Sequence, residues 1–391
     1  MQDRIKQLIQ HFEIRYGTDS ASPRVFFAPG RVNLIGEHTD YNGGYVLPCA
    51  LQYGTLLVVR FNEIKHLRLA SLNFSYSADI PVAEASIKRG QEWINYPLGV
   101  IQQFNHAIPD LRGMDMLYEG DIPNGAGLSS SASIEMTTAF AINELFGLKW
   151  DMLSLIKASR KAENDFVGVS CGIMDQYAVG NGKKDHAIFL NCDTVEHQLI
   201  PLKLNGYSLM ISNTNKKRTL ADSKYNERVD QCGQAVRYLR GFLDIRNLGQ
   251  VTLTDFEKFQ QEIPDEIIRK RARHVISENN RVLHAVQAMH NNDLLTLGML
   301  MNQSHDSLRH DYEVTGFELD TLVTAARSVP GIIGSRMTGA GFGGCTVSIL
   351  RQDQIDRFQN EAGEKYHQET GLIPSFYLAD IGDGVVEIKT G

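Results

Sequence analysis

The stretch Asp121-Ile-Pro-Asn-Gly-Ala-Gly-Leu-Ser-Ser-Ser-Ala-Ser133 joins a predicted strand, residues 114–119, to a predicted helix, residues 131–146. Gly125 and Gly127 permit a tight turn and let the backbone approach a ligand without a Cβ in the way. The first N–H groups of the helix, at the positive end of its dipole, form an anion site. Phosphate oxygens or a hydrated metal ion can also be bound by four hydroxyls, those of Ser129, Ser130, Ser131 and Ser133. The stretch therefore predicts a phosphate-binding loop.

Two other types of phosphate loop fit this stretch poorly. The Walker A form ends in Gly-Lys-Ser/Thr, and the stretch contains no lysine. A dinucleotide fingerprint needs a third glycine or an alanine where Ser130 stands, within a βαβ unit. The remaining alternative is a helix start that several side chains cap, with no ligand.

A second informative run, Ala28-Pro-Gly-Arg-Val-Asn-Leu-Ile-Gly-Glu-His-Thr-Asp-Tyr-Asn-Gly-Gly44, precedes the loop; we call it the signature run. Charged, imidazole and amide side chains are crowded within twelve positions of this run, among them those of Arg31, Glu37, His38, Asp40 and Asn42. Donors and acceptors of different reach on a glycine-bent backbone suit a small molecule with several hydroxyls. The alternative is a solvated surface turn.

Two carboxylates further along the chain are candidates for chemistry. Asp175 lies in residues 168–176, a glycine-rich and largely apolar segment that predicts a partly buried turn. A buried carboxylate needs a partner, and the structural alternative for Asp175 is a cap. Glu163 lies on a predicted helix, residues 152–166, and is a candidate ligand for Mg²⁺, which prefers hard oxygen atoms. The alternative for Glu163 is a solvated helix surface.

Together these motifs resemble those of galactokinases, which belong to the GHMP family of small-molecule kinases. The signature run is similar to the galactokinase signature, and the serine-rich loop is similar to the second GHMP motif. Further resemblances are carried by three segments, Cys171-Gly-Ile-Met-Asp-Gln176, Tyr225-Asn-Glu-Arg228 and the C-terminal motif Met337-Thr-Gly-Ala-Gly-Phe-Gly-Gly-Cys345. The resemblance runs over nearly the whole chain in family order.

The resemblance implies an α+β, two-domain GHMP kinase fold, with mixed or antiparallel sheets and the active site in the cleft between the domains. The pattern changes near residue 205, from mixed strands and helices to mostly helices, and this change predicts domains at residues 1–205 and 206–391. Residues 186–191 and 196–201 predict a hairpin, and residues 93–106 predict a helix. Residues from about 218 to 327 are mostly helical in pattern, including 265–290 and 292–308.

The resemblance also implies a reaction, the transfer of a phosphoryl group from ATP to the C1 hydroxyl of galactose. The implied catalytic pair is Asp175, which accepts the proton of the hydroxyl, and Arg31, which favours the charged form of Asp175 and stabilises developing charge. The implied sugar-binding residues are Glu37, His38, Thr39, Asp40 and Tyr225. The implied nucleotide-binding residues are Gly125, Ala126, Gly127, Leu128, Ser129, Ser130, Ser131 and Ser71, with Trp93 and Asn95 as further candidates at the adenine. Magnesium is implied at Ser131 and Glu163, although Ser131 could instead contact phosphate.

The C-terminal motif leaves two interpretations open. Many relatives have glycine where Ala340 stands, and alanine fits the turn only if its φ stays negative. The glycine cluster either approaches the active-site cleft near Asp175 or forms a tight turn between strands.

Three alternatives to galactose phosphorylation are considered. Mevalonate and homoserine kinases share the fold, but their substrates have no use for the Gly-Glu-His-Thr-Asp run. An N-acetylgalactosamine kinase would need only a wider pocket. A non-catalytic sensor of galactose and ATP is disfavoured because the serine-rich loop, Asp175, Arg31 and Glu163 are all present.

The composition argues against some kinds of partner and some cellular locations. The 391 residues carry a formal net charge of -7, which argues against a general affinity for nucleic acid or anionic membranes. No apolar stretch approaches the roughly 18 residues of a membrane span, and the N-terminus lacks the apolar core of a signal peptide. The five scattered cysteines predict free thiols. We therefore expect a cytoplasmic monomer whose partners are the small molecules galactose and ATP.

Overall fold

The computed structural model describes residues 1–18, 22–123, 126–216 and 221–389. Its strands are β1 Arg24–Asn33, β2 Tyr45–Val46, β3 Pro48–Asn62, β4 His66–Ser71, β5 Ala78–Pro81, β6 Gly113–Gly120, β7 His186–Asn191, β8 His197–Pro201, β9 Tyr207–Asn213, β10 Ile332–Thr338, β11 Cys345–Arg351, β12 Ser375–Ala379 and β13 Val386–Ile388. Its α-helices are α1 Gln2–Tyr16, α2 Asn95–Gln103, α3 Ser130–Phe146, α4 Met152–Lys161, α5 Met174–Asn181, α6 Ala221–Leu239, α7 Leu253–Phe259, α8 Glu266–His290, α9 Leu294–Ser307, α10 Phe317–Arg327 and α11 Ile355–Thr370.

The largest sheet has the strand order β13-β1-β3-β6-β4-β5. Its neighbouring strands are antiparallel except for β4 and β6, which run parallel. Apolar side chains alternate along β1, as the two-residue period of a strand requires. Val25 and Phe27 pack with α1, whereas Phe26 and Ala28 belong to the core that includes α2 and α3. Both faces of the sheet are therefore covered by helices.

A second sheet, with the order β10-β11-β9-β12, is antiparallel throughout. On one face, Leu209 and Ile349 share a core with Leu297 of α9. On the other face, Met210 and Leu350 pack against α10 and α11. The short sheet β2-β7-β8 contains the predicted hairpin, whose strands β7 and β8 pair from His186 with Pro201 to Leu190 with His197.

The predicted fold class is confirmed: helices are combined with one mixed and two antiparallel sheets. Several helix bounds differ from the prediction at points where the backbone changes geometry. The helix predicted at 152–166 is regular only to Lys161 and continues as a π-helical turn, Ala162–Val167, which carries Glu163. The helix predicted at 93–106 spans only Asn95–Gln103. A second π-helical turn, Leu308–Tyr312, follows α9.

The division into residues 1–205 and 206–391 stays a prediction. The last strand, β13, lies in the first sheet, where Val25 pairs with Ile388. The C-terminal end of the chain thus completes an edge next to the first strand. Within the described ranges, none of the helices is both long and apolar enough to cross a membrane. All five cysteines are free thiols.

Candidate active site

A cavity of about 620 Å³ lies where the sequence motifs meet. Its wall is formed by the signature run, the serine-rich loop, residues 168–175, the start of α6 and the glycine cluster after β10. The predicted site residues on this wall are Arg31, Glu37, His38, Asp40, Gly127, Ser129, Ser130, Ser131, Glu163, Asp175 and Tyr225. Motifs that are far apart in the sequence therefore converge on one cavity.

Arg31 is held by three hydrogen bonds at an irregularity in β1. The register of β1 against β3 shifts between Pro29 and Arg31, and a Cβ at Gly30 would lie only 2.6 Å from the carbonyl oxygen of Leu128. The Arg31 side chain donates from Nε and Nη2 to the two oxygens of Asp175, at 2.8 and 2.9 Å, and from Nη1 to the carbonyl of Gly127 at 2.8 Å. A planar fork of this kind is specific to arginine.

Asp175 lies in the first turn of α5 and faces the cavity. Its side chain is 26% exposed, whereas that of Arg31 is 5% exposed, so the carboxylate lies between the cation and the cavity. The hydroxyl of Ser129 donates to Asp175 Oδ2 at 2.5 Å. The N-cap of α5 is Ile173, and no side chain caps this helix start. Asp175 is thus not a cap, which removes the structural alternative for this residue.

The start of α3 has no side-chain cap within the described part of the serine-rich loop. Its N-cap residue, Ser129, has a positive φ of 60°, and its hydroxyl is engaged by Asp175. The first N–H groups of a helix have no partner within the helix, so these donors are available to a ligand at the cavity. The alternative of a helix start capped several times is therefore not found here.

Four of the predicted loop residues are not on the described cavity wall. Ser133 is fully buried, and its hydroxyl lies 2.7 Å from the carbonyl oxygen of Ala28 and 2.9 Å from Thr55 Oγ1. The prediction that Ser133 binds phosphate is wrong, because its hydroxyl attaches α3 to the first sheet. Gly125 lies outside the described residues. Ala126 and Leu128 are buried behind the cavity wall.

Glu163 and Ser131 are in contact, as their predicted shared role requires. The Ser131 hydroxyl hydrogen-bonds the Glu163 carboxylate, and the Gln176 amide donates to Glu163 Oε2 at 2.6 Å. The same Gln176 amide donates to the buried Glu135 at 3.0 Å. Burial raises the pKa of Glu163, and the negative charge of Asp175 raises it further. A cation bound beside Glu163 would offset both effects.

The donor set at Ser131 and Glu163 fits magnesium. Mg²⁺ is commonly held by one or two carboxylates together with substrate phosphates and waters, and here a hydroxyl and a carboxylate adjoin at the cavity. In the described part of the chain, no group of three or more His, Cys, Asp or Glu side chains could hold a metal ion. A metal held by protein side chains alone, such as structural zinc, therefore has no site there.

His38 is buried and neutral, and its orientation is fixed from both sides. Its Nε2 lies 3.2 Å from the carbonyl oxygen of Ala340, which can only accept, so Nε2 carries the proton. Its Nδ1 therefore accepts from the hydroxyl of Tyr41 at 2.9 Å. Burial lowers the pKa of His38 to about 3. Its ring packs 4.8 Å from that of Tyr312 and 5.7 Å from that of Tyr225.

Asp40 is a carboxylate on the cavity wall. Burial raises the pKa of Asp40 to about 6, and the negative charge of Asp175 adds to the rise. A Cβ at Gly172 would lie 1.8 Å from Asp40 Oδ2, so the carboxylate occupies the space that this glycine leaves. Tyr225, on α6, lies beside the ring of Tyr41 at 5.2 Å. Carboxylate and phenol thus face the same cavity.

Comparisons with known proteins agree with this arrangement. Sequence models of three families match the chain: the galactokinase galactose-binding signature at residues 10–61, the GHMP kinases N terminal domain at 95–183 and the GHMP kinases C terminal at 285–368. The galactokinase of Fusobacterium nucleatum is 52% identical over 93% of this chain and 95% of its own length. The chain belongs to the galactokinase family. The galactokinase of Clostridium beijerinckii is 48% identical over 99% of this chain and 100% of its own length.

Solved structures support the same family. The galactokinase of Lactococcus lactis, solved in complex with galactose, superimposes with a TM-score of 0.96 at 41% identity and covers 98% of this chain and all of its own. The mevalonate kinase of Methanococcus jannaschii superimposes with a TM-score of 0.65 at 16% identity, covering 93% of this chain and all of its own. The second likeness shows the GHMP fold alone. Membership of the galactokinase family makes this chain a sugar kinase.

Two of the predicted sugar-binding residues already form contacts within the protein. Glu37 Oε1 accepts from the Gly339 amide at 2.8 Å and from the Thr338 hydroxyl at 3.1 Å, with Arg336 Nη1 at 3.5 Å. Burial raises the pKa of Glu37 while Arg336 opposes the rise. Thr39 is fully buried, its hydroxyl lies within 2.8 Å of two backbone carbonyls, and it is not on the described cavity wall.

The C-terminal glycine cluster reaches the cavity. Gly339 and Ala340 lie on its wall, next to Glu37 and His38. Gly339 and Gly341 have positive φ values of 86° and 82°, whereas Ala340 is not among the described residues with positive φ. Alanine is therefore accommodated at position 340, where the backbone does not adopt a positive φ.

The candidates for the adenine stay predictions, and none of them lies on the described cavity wall. The Ser71 hydroxyl accepts from the Asn73 amide at 3.0 Å. Trp93 donates from Nε1 to the carbonyl of Tyr76. Asn95 is buried and accepts from the Arg89 amide at 2.8 Å. These contacts give Trp93 and Asn95 structural partners.

Sequence reasoning missed several residues on the wall, namely Tyr41, Tyr96, Gly168, Val169, Ser170, Cys171, Gly172, Met174 and Asn226. Most of them lie inside or beside the quoted motifs, so the motifs could have indicated them. Tyr96 lies in α2, far from any motif, and the sequence held no signal for it.

Proposed function

We propose that this chain transfers the γ-phosphoryl group of ATP to the C1 hydroxyl of D-galactose, forming galactose 1-phosphate and ADP. The observation that carries the proposal is the Arg31–Asp175 pair, which faces the cavity beside the uncapped start of α3. A paired carboxylate and a helix start next to one another suit proton acceptance and phosphate binding at one place. The proposal includes ATP binding at the start of α3 and a role for each residue of the site.

Asp175 acts as the base in this proposal. Its Oδ2 already accepts from Arg31 and Ser129, whereas Oδ1 accepts only the Arg31 Nε–H among the described contacts and keeps a lone pair for the sugar. As the sugar O1 forms its bond to the γ-phosphorus, the bond from that phosphorus to the β–γ bridging oxygen breaks and ADP leaves. The hydroxyl proton passes to Asp175 Oδ1.

Arg31 and the serine-rich loop stabilise developing negative charge and do not take part in the proton transfer. Arg31 donates two hydrogen bonds to Asp175, and its guanidinium would stabilise the charge that develops as the proton and the phosphoryl group are transferred. The N–H groups at the start of α3, with Ser130, hold the phosphates in line with the attacking oxygen. Ser131 and Glu163 would hold Mg²⁺, which supplies neutralisation of the β- and γ-phosphate oxygens when it is bound.

Sugar selectivity is assigned to Asp40, His38 and Tyr225, together with Glu37, which also lies on the cavity wall. Acceptors buried at fixed positions reject an epimer because a misplaced hydroxyl leaves them without a partner. His38 Nε2–H and Nδ1 are both engaged, so His38 contributes mainly shape and a fixed edge. Asp40 is the principal acceptor for sugar hydroxyls in this scheme.

The setting of the reaction is proposed as well. The chain would act as a cytoplasmic monomer at the entry step of galactose catabolism. Free thiols at all five cysteines suit a reducing compartment. The predicted division at residue 205 would place the signature run, the loop and Asp175 on one domain and the glycine cluster on the other.

The test is an ADP-release assay with galactose, N-acetylgalactosamine, glucose, mevalonate and no acceptor, each at fixed ATP and Mg²⁺. We expect turnover with galactose to exceed that with the other acceptors by about two orders of magnitude or more. Faster turnover with N-acetylgalactosamine would indicate the N-acetylgalactosamine kinase alternative. Galactose binding without ADP release would indicate the sensor.

A further inference from the structure

Three buried polar side chains of α8 contact the backbone of the signature run. His274 Nε2 donates to the carbonyl oxygen of Glu37 at 3.1 Å. Glu278 Oε1 accepts from the Gly36 amide at 2.9 Å and from the Glu37 amide at 3.4 Å. Asn279 Oδ1 accepts from the Tyr45 amide at 2.9 Å. The helix therefore bonds to both ends of the segment that carries the predicted sugar residues.

The backbone at Gly36 needs an outside partner. β1 ends at Asn33, so the amides of Gly36 and Glu37 lie beyond its ladder. Gly36 has a φ of 98°, and a Cβ there would lie 2.6 Å from the carbonyl oxygen of Tyr45. This glycine turn is fully buried, and a buried N–H without an acceptor is costly. Glu278 supplies that acceptor.

Glu278 is a charged acceptor that is itself tightly held. It is fully buried, and Arg281 Nε donates to its Oε2 at 2.7 Å while the Ser304 hydroxyl donates to Oε1 at 2.6 Å. Burial alone would raise the pKa of Glu278, but Arg281 and the hydrogen bonds hold it at about 2. Hydrogen bonds to an ionised acceptor are stronger than those to a neutral one. The turn at Gly36 is thus attached to a rigid helix rather than to solvent.

We propose that Glu278, assisted by His274, is a positioning residue for the sugar site: by fixing the backbone at Gly36 and Glu37 it sets the affinity for galactose and leaves the nucleotide side unaffected. The inference rests on the proposed function, because it takes the signature run to bind the sugar. Neither side chain lies on the described cavity wall, so both act through Glu37, His38 and Asp40.

The main test compares Glu278→Gln with Ser304→Ala. Glutamine keeps the shape but loses the charge, so it weakens the hold on the Gly36 and Glu37 amides. Ser304→Ala removes a buried hydrogen bond to the same carboxylate. It leaves the carboxylate that accepts from the signature run in place. Galactose and ADP affinities are measured by calorimetry and the melting temperature by scanning calorimetry, and KM is separated from kcat for both substrates.

We expect Glu278→Gln to weaken galactose binding and raise its KM about 10- to 100-fold, with ADP affinity within about twofold of wild type. Ser304→Ala should lower the melting temperature but leave galactose affinity within about twofold. His274→Gln should also weaken galactose binding, but by a smaller factor than Glu278→Gln. If Glu278→Gln does not fold, His274→Gln is the variant that tests the proposal. Equal losses of galactose and ADP affinity, or equal galactose losses in Glu278→Gln and Ser304→Ala, would overturn the inference alone. A wild-type chain that binds no galactose would overturn the proposed function as well.

Discussion

The two sides of the cavity are prepared for their ligands in different ways. On the sugar side, Glu37, His38 and Thr39 already have protein partners, and the backbone turn at Gly36 is bonded to α8. On the nucleotide side, α3 begins without a side-chain cap and Ser130 is exposed. In the proposed function, the side assigned to the sugar is therefore organised before binding, whereas the side assigned to the phosphates would gain its partners from the ligand. Preorganisation of the first kind favours selectivity, because a misfitting sugar finds little freedom to adapt.

Asp175→Asn tests the point where the two sides meet and should have the largest effect. Asparagine keeps the shape but cannot accept the proton, so kcat should fall by about 10²- to 10⁴-fold while galactose still binds. An ADP-release assay and calorimetry measure the two quantities. Asp165→Asn, at an exposed acid on the neighbouring π-helical turn, is the matched control. A variant that keeps a tenth of wild-type turnover would remove Asp175 from the role of base.

Glu163→Gln probes the nucleotide side alone. Losing the carboxylate should raise the Mg²⁺ concentration needed for half-maximal rate by about tenfold or more, because magnesium prefers charged oxygen ligands. Galactose affinity measured without nucleotide should stay within about twofold. The exposed Glu144→Gln, on α3, serves as the control. If galactose affinity fell by the same factor as the Mg²⁺ requirement rises, the two sides of the cavity would not act independently.

Gly172→Ala probes the sugar side. The new Cβ would lie 1.8 Å from Asp40 Oδ2, so the acceptor must move. We expect the KM for galactose to rise about tenfold and the KM for ATP to change little. Gly233→Ala, whose Cβ would meet only a distant Arg237 nitrogen at 4.0 Å, controls for the addition of a methyl group. An unchanged galactose KM in Gly172→Ala would show that the position of Asp40 does not matter.

The smallest expected effect is a pH dependence of sugar binding. Asp40 has a pKa of about 6 in the fold, so it becomes protonated as the pH falls from 7 to 5 and accepts fewer hydrogen bonds. Galactose affinity should fall up to about tenfold over this range, and Asp40→Asn should flatten the profile. His38, with a pKa of about 3, contributes nothing between pH 5 and 7. A profile that Asp40→Asn leaves unchanged would contradict the assignment.

The same raised pKa has a consequence for stability in the absence of sugar. Asp40 binds its proton more tightly folded than unfolded, since its ordinary pKa is 3.8. The contribution of Asp40 to stability is therefore present below about pH 4 and is lost as the pH rises to 6. His274 acts in the opposite direction, because burial lowers its pKa to about 4 and makes its contribution fall as the pH drops below 6.5.

The sequence predicted the local motifs well because each depends on neighbouring residues. The hairpin and the long helix predicted at residues 265–290 were both visible as short-range patterns. It could not predict which serine faces inward, because the burial of Ser133 depends on β3, which lies far away in the chain. It likewise gave no sign of His274 and Glu278, since nothing in a helical pattern indicates which backbone amides a buried side chain will meet. Long-range partners were the missing information.

The pairing of β13 with β1 bears on how the chain is made. Arg24 and Glu387 form an ion pair across a separation of 363 residues, and Val25 pairs with Ile388. Synthesis proceeds from the N-terminus, so β1 lacks this neighbour until Val386–Ile388 has been made. Exposed edges invite pairing with other chains, and contacts so distant in sequence form slowly. A chain that stops short of residue 386 would keep every motif of the active site and still lack the strand that closes that edge.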